Sequence, residues 1–440
     1  MFDSNLQIIR ELKSFIEIVH NNPFLLQEFS MITDGFTRNR KLPFDKLVLL
    51  IAKLCKKSLS VELENFFEDL NIKTSCSASG FTQQRLKLDP FFYQVWNKLL
   101  CDCFYRYERK TVRRWKDYRL IAVDGSNISL INTPELASKF GGQSNQQGFF
   151  VQAKTFYCYD VLNELILHSQ ISPYRKSELS MAYSLIESFT NDMIAIYDRN
   201  FCNYKMVALH CWQENEIKFV IRANENRNFV KSFLRGKSSD KIIDLLPSIP
   251  AINELRKNGF IIDKNTTIKV RLIKVKLEKS TEVLITNLWK EDEHHKSEFK
   301  ELYFKRWGIE TNISFQKNVL QLESFSGLTS LSIKQDFYAT TFIANLYAIL
   351  IKKAQNKLDK SKSVKKYRMK VNRNKAVGKF KANLIQLFIT KNPEIILQTL
   401  YEYCIRDSLP ERKNRSFKRV RKNRQSNSKH KTFTNYKPTY

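Results

Sequence analysis

Hydrophobic positions along this chain follow two different periods. Up to Val112 they recur at intervals of three and four. Lys46 to Cys55 (KLVLLIAKLC) shows the spacing, which predicts a helix with one buried face. Asp89-Pro90 predicts a second helix start, with proline at the first helical position and the helix running from Phe91 to Cys103. Between them, Gly80 is expected to break Ser75 to Leu88 (SCSASGFTQQRLKL) into a helix pair, as in a helix-turn-helix.

The period changes at Asp117. Tyr118 to Val123 (YRLIAV) is a short continuous apolar run and predicts a buried strand. Phe149 to Tyr159 and Val161 to Ile171 predict two more, joined by a turn near Tyr159-Asp160. Ser177 to Phe189 reads as a serine-capped helix, Met193 to Tyr197 (MIAIY) as a strand, Asn203 to Glu214 as a helix and Lys218 to Arg222 (KFVIR) as a strand. Three strands, helix, strand, helix, strand implies a mixed α/β sheet flanked by helices, the order expected of an RNase H-like core. Two alternating runs within Phe260 to Leu288, TTIKVRLIKVKL and TEVLITNL, predict antiparallel strands of a further β-rich unit. Beyond His294, the helical period returns in Lys300 to Leu320 and Ile333 to Lys353.

These changes divide the chain into five parts. Residues 1–112 form an N-terminal helical domain, and 113–223 form the first part of the core. Residues 224–290 form a β-rich insertion, and 291–355 the second part of the core. Residues 356–440 form a basic C-terminal region. Its end, Asp407 to Tyr440, lacks periodicity and is expected to be disordered.

Composition narrows the function. Hydrophobic residues are 42% and aromatic residues 12%, enough to build a core, so a wholly disordered chain is excluded. Lys plus Arg number 74 against 44 Asp plus Glu, a net charge of +30 that attracts polyanions. Residues 352–381 hold 13 Lys/Arg against one acid, and residues 411–440 hold 11 against one, so most of the excess is local. Nucleic acid is the first candidate partner and an anionic membrane surface the second. The longest largely apolar stretch, Ala339 to Ile351, has 13 residues, short of the ~20 a membrane span needs. No basic amphipathic helix with a clean apolar face supports surface binding. Met1 to Glu11 is mixed polar and lacks a secretory pattern. The eight cysteines lack zinc-site spacing and read as reduced, mostly buried thiols, so a soluble intracellular protein is expected.

Three acidic residues stand out. Asp124 closes the YRLIAV strand before Gly125-Ser126, and Asp198 closes MIAIY before Arg199-Asn200-Phe201. A carboxylate just past a buried strand lies at the sheet edge where active sites of open α/β sheets gather. Either aspartate alone could equally be a cap. Tyr303, Arg306, Glu310 and Lys317 are separated by 3, 4 and 7 residues, which puts all four on one face of a single helix. Without the two aspartates that face would read as solvated, with an Arg306–Glu310 pair. His294-His295 reads as a solvated loop, and His20, His168 and His210 as structural.

Tyr303-x2-Arg306-x3-Glu310-x6-Lys317 resembles the Y-R-E-K signature of the DDE transposases of bacterial insertion sequences. The resemblance is to the IS-four type, whose best-known relative is the Tn-five transposase. Asp124-Gly125-Ser126 and Asp198-Arg199-x-Phe201 fit in order. Leu284 to Leu288 (LITNL) and Arg85-x-Lys87-Leu88 look like further family elements, and the resemblance runs over residues 40–425. Asn200 stands where family members carry a small residue.

The resemblance implies an RNase H-like fold in which Asp124, Asp198 and Glu310 are catalytic and hold two Mg²⁺ (or Mn²⁺) ions. Such a pair of ions can activate a water or a 3′-hydroxyl and stabilise the leaving oxygen of an in-line displacement. Tyr303, Arg306 and Lys317 would bind DNA phosphates at the transposon end, with Arg85 as a further DNA-binding residue. Trp289 would hold a flipped base, while Trp307 is expected to be packed. The implied partners are double-stranded DNA, as terminal inverted repeats and target, and a second copy in a DNA-bound homodimer. The implied activity is metal-dependent cleavage and strand transfer by a cut-and-paste route, in a cytoplasmic, nucleoid-associated protein. A nuclease that never joins, or a non-catalytic DNA-binding regulator derived from a transposase, are the alternatives.

Overall fold

The runs of period two become the strands of one sheet. The structure, a computed structural model, describes residues 4–38, 40–146, 148–212, 216–278, 280–361 and 367–412. The chain forms two units, one of residues 1–112, 127–153 and 313–440, the other of residues 113–126 and 154–312. The strands are β1 (Arg119–Ser129), β2 (Gly142–Asn145), β3 (Gly148–Asp160), β4 (Leu165–Pro173), β5 (Met193–Tyr197), β6 (Lys218–Arg222), β7 (Asp240–Leu245), β8 (Ile268–Lys276) and β9 (Thr281–Thr286).

In the second unit the strand order is β4-β3-β1-β5-β6-β9-β8-β7. β1, β5 and β6 are parallel, and β9, β8 and β7 continue antiparallel. This is the mixed, helix-flanked sheet anticipated from the order of elements. The strands of residues 224–290 enter that same sheet through the β6–β9 pairing. The sequence pattern did not show β7 or the helices Asn228–Arg235 and Ile249–Lys257. The hairpin turn lies at residues 161–164, later than expected, because Asp160 Oδ1 accepts from the backbone N–H groups of Leu162 and Asn163.

Alternation assigns the two faces of the sheet. Ile121, Val123, Phe156, Cys158, Ala195, Tyr197, Phe219 and Ile221 pack beneath the helices Glu178–Tyr183 and Tyr204–Cys211. Leu120, Ile194, Ile196, Val220 and Leu284 face the other way, against Phe299, Leu302 and Tyr303.

The first unit is built on the helix Ser330–Lys360, which opens with a capping box between Thr329 and Ser332. Its residues Ile333 to Ile351 are buried on nearly every side, so the longest apolar stretch of the chain is a core helix. Trp96, on the helix Phe91–Tyr107, stacks on Phe342 with ring centroids 3.8 Å apart. The helices Arg373–Ile389 and Pro393–Arg406 pack in the same unit, and Lys381 is buried with its ammonium donating to the Leu54 carbonyl at 3.0 Å. Part of the basic segment is therefore core. Gly80 does not break a helix. It lies in the first turn of Ala78–Arg85, where its N–H is accepted by the Ser77 cap. Leu409–Pro410 pairs with Met369–Lys370, and the rest of the expected disordered tail, residues 413–440, lies outside the described residues. Among the described residues no helix is long and apolar enough to cross a membrane. None of the eight cysteines forms a disulfide.

Trp96 is fully buried, so Trp96→Ala should destabilise the protein by about 3–5 kcal/mol. Combined with Phe342→Ala, the loss should fall short of the sum, because both variants open the same volume. Urea unfolding of the three variants measures this, and simple additivity would refute the shared contact.

Candidate active site

Register brings the two aspartates together. β1 and β5 pair in parallel from Arg119–Met193 to Ala122–Ile196. Asp124 and Asp198 each lie two residues past that last pair, at the same height on neighbouring strands. Parity puts both on the face that carries Leu120, Ile194 and Ile196, the face covered by Phe299, Leu302 and Tyr303. β1 does not end at Asp124 but runs on to Ser129.

Each aspartate also serves its own backbone. Asp124 Oδ1 accepts from the Gly125 N–H at 2.8 Å, and Asp198 Oδ1 caps the short turn Arg199–Phe201 through the Asn200 N–H at 2.8 Å. The contact uses only the backbone of Asn200, so the side chain at that departure from the family pattern does not matter to it. Burial pushes Asp124 up to about 7, the Gly125 N–H and Arg306 pull it down, and the charges of Asp198 and Glu178 push it up. Burial raises Asp198 in the same way.

The expected single helix from Lys300 to Leu320 is two, Phe299–Phe304 and Trp307–Asn318. Arg306 stands at the break, where the chain turns through three-residue hydrogen bonds such as Arg306 N–H to the Tyr303 carbonyl. Its guanidinium is within 2.6 Å of Glu310 and 3.6 Å of Asp124, so one cation spans two of the three acids. The residue is 6% exposed, and its Nε has no hydrogen-bond partner among the described residues. Tyr303 is a core residue whose ring lies 5.9 Å from the Arg306 guanidinium carbon. Lys317, in the last turn of the second helix, donates to the Asn127 carbonyl at 2.5 Å.

The remaining expected residues lie apart from this group. Trp289 is half-buried just after β9. Trp307 is 51% exposed rather than packed, because it opens the second helix beyond the break, with Arg306 5.3 Å from its ring. His294 is buried against the Trp115 ring and is not a solvated loop residue. Arg85 must be corrected outright. It is 4% exposed and donates to Asp336, Gln335, Ser326 and the Ser332 carbonyl, so its guanidinium is spent inside the protein.

Two residues were missed. Glu178, the first residue after the Ser177 cap, lies against Gly125 and pairs with Lys154 at 2.9 Å. The Ser177 cap signalled the helix, but nothing local signalled where that helix would dock.

A family model described as Transposase DDE domain matches residues 115–346, more than half of the chain. The chain belongs to this transposase DDE domain family. A protein of Escherichia coli (strain K12) described as "Putative transposase InsZ" is 24% identical over 97 residues, covering 21% of this chain. The match spans 32%, about a third, of that relative's length. A solved structure described as a cryo-EM structure of a piggyBac transposase synaptic complex with hairpin DNA aligns at TM-score 0.42 and 10% identity, covering 95% of this chain and 87% of that one.

For this transposase-family chain the metal question turns on the donor set. Among the described residues no three His, Cys, Asp or Glu side chains converge closely enough to hold a metal ion. The donor chemistry nevertheless fits a hard divalent cation, since Asp124 and Asp198 are oxygen-donor carboxylates on one face of the sheet, both raised by burial.

Two outcomes follow. Asp124 binds its proton more tightly folded than unfolded, so its contribution to stability is complete below pH 3.8 and is lost as pH rises through about 7. In divalent-free buffer Asp124→Asn should therefore stabilise the protein at pH 8 by about 1–4 kcal/mol and leave it unchanged near pH 3.5. Thermal melts at both pH values measure this, and an equal gap at both would contradict it. Arg85→Ala should cost about 3–5 kcal/mol by leaving Asp336 buried without its cation. An unchanged melting temperature would contradict that.

Proposed function

We propose that this chain is a DNA transposase of the IS-four type, cutting DNA at transposon ends and joining the freed ends to a target by a cut-and-paste route. The observation that carries the reading is the pair Asp124 and Asp198, side by side on neighbouring parallel strands within a Transposase DDE domain match. Asp124, Asp198 and Glu310 would hold two Mg²⁺ or Mn²⁺ ions, which supply an activated oxygen nucleophile and a stabilised leaving oxygen.

The chain's own groups do the rest. Glu310 is tied to Arg306 and is 38% exposed at its side chain, so its carboxylate can exchange that partner for another cation. Arg306 would then turn to a DNA phosphate, a reading supported by its buried, unpartnered Nε, since a buried donor without an acceptor is costly and an incoming phosphate oxygen satisfies it. Tyr303 braces that guanidinium from the core side. Lys317 would give its ammonium to a neighbouring phosphate in place of the Asn127 carbonyl. Trp289 would stack on an unpaired base.

The partner is double-stranded DNA, with the helical residues 1–112 and the basic residues 356–440 adding backbone contacts in a DNA-bound homodimer. Such contacts make binding fall steeply with salt. The protein would act in the cytoplasm, on the nucleoid.

The test is cleavage of a supercoiled plasmid carrying the element's own ends, with Mg²⁺ or with EDTA. Wild type should nick and join in Mg²⁺ only, and Glu310→Ala should lower the rate by about 10²-fold or more. Cleavage without joined product would leave a nuclease. Tight binding to the ends with no cleavage would leave a DNA-binding regulator.

A further inference from the structure

Gly125 follows Asp124 on β1, and its missing side chain points to the opposite face of the sheet from the Asp124 carboxylate. A Cβ built on Gly125 would lie 2.5 Å from the carboxyl carbon and from Oε1 of Glu178. Glu178 therefore fills the space a side chain at 125 would take. It reaches there because the Ser177 cap starts its helix under this strand and because Met181 and Ala182 seat that helix on the sheet. The backbone at Gly125 is not left-handed, so the requirement for glycine is steric.

The same Oε1 accepts from the ammonium of Lys154 at 2.9 Å. Lys154 lies on β3, beside β1, with the parity of Phe156 and Cys158, and so on the same face as Gly125 and Glu178. Thr155, the next residue, donates its hydroxyl to the Ser126 carbonyl at 2.8 Å, tying β3 to β1 at this level. The Glu178 side chain is only 25% exposed and that of Lys154 only 16%, so the pair is sheltered from water.

We propose that Glu178, clamped by Lys154, is a positioning residue of the active site. It holds the Asp124–Gly125 peptide from beneath and sets the local charge that the two aspartates meet. It is not itself a ligand, because it lies across the strand from the face that Asp124 and Asp198 share. The proposal rests on Asp124 and Asp198 binding a divalent cation. It explains why a glycine follows the first aspartate: any side chain there evicts Glu178 and breaks its pair with Lys154.

The opposite charges of the pair make the role measurable without turnover. Mn²⁺ binding to the full chain, followed by electron paramagnetic resonance, is compared for wild type, Asp198→Asn, Glu178→Gln, Lys154→Met, Gly125→Ala, Glu178→Ala and the Gly125→Ala/Glu178→Ala double variant. Removing the negative charge should weaken Mn²⁺ affinity and removing the positive charge should tighten it, each by about ten-fold. Gly125→Ala should weaken affinity in the wild-type background and cost nothing further once Glu178 is alanine. A purely structural salt bridge would move both charge variants in the same direction, and that result, or no change in either, would overturn the proposal. If Glu178→Gln fails to fold by thermal melt, the sign of the Lys154→Met effect decides alone. If Asp198→Asn binds Mn²⁺ as well as wild type, the underlying metal reading has failed instead.

Discussion

Two neighbouring strands pair in register from Arg119–Met193 to Ala122–Ile196, and everything else about the site depends on that register. A shift of one residue would turn either Asp124 or Asp198 to the opposite face. With the register kept, two carboxylates stand side by side at the edge of an apolar sheet. Their charges oppose one another, and burial penalises both, so this corner of the protein needs positive charge. Arg306 provides it from the break between two helices, spanning Asp124 and Glu310.

That arrangement is a balance of charge in a poorly solvated place. On one side lie Asp124, Asp198 and Glu310 with Arg306; on the opposite face of β1 lie Glu178 and Lys154. Gly125 is the gap through which the second pair reaches the strand. A buried carboxylate without a full cation partner takes up a proton instead, and Asp124 shows that tendency where the neighbouring Arg306 is shared with Glu310. The same shortage of positive charge makes a divalent cation chemically welcome there.

The large positive charge of the chain does not act as a single unit. Arg85 and Lys381 are buried, held by Asp336 and by the Leu54 carbonyl. A charge excess read from sequence counts these residues toward a DNA surface, yet burial converts them into parts that hold helices together. Arg85 was the clearest case, because a basic residue next to a helix end looks the same in sequence whether its partner is a phosphate or an aspartate 251 positions away.

Local pattern was enough for much of the protein. Met193–Tyr197 and Lys218–Arg222 emerge as strands with the bounds their apolar runs predict, since a short, fully buried strand has little freedom to be anything else. The sequence also singled out Asp124, Asp198 and Glu310 as candidates, because their order and neighbours resemble a known motif. It could not show that Tyr303 to Lys317 spans two helices, that Trp307 faces water, or that Glu178 and Lys154 meet beneath Gly125. Those outcomes are set by partners far away in the chain. Residue type and periodicity decide which face of an element is apolar, but only the packed tertiary structure decides which charges share a low-dielectric space and so which of them must pair.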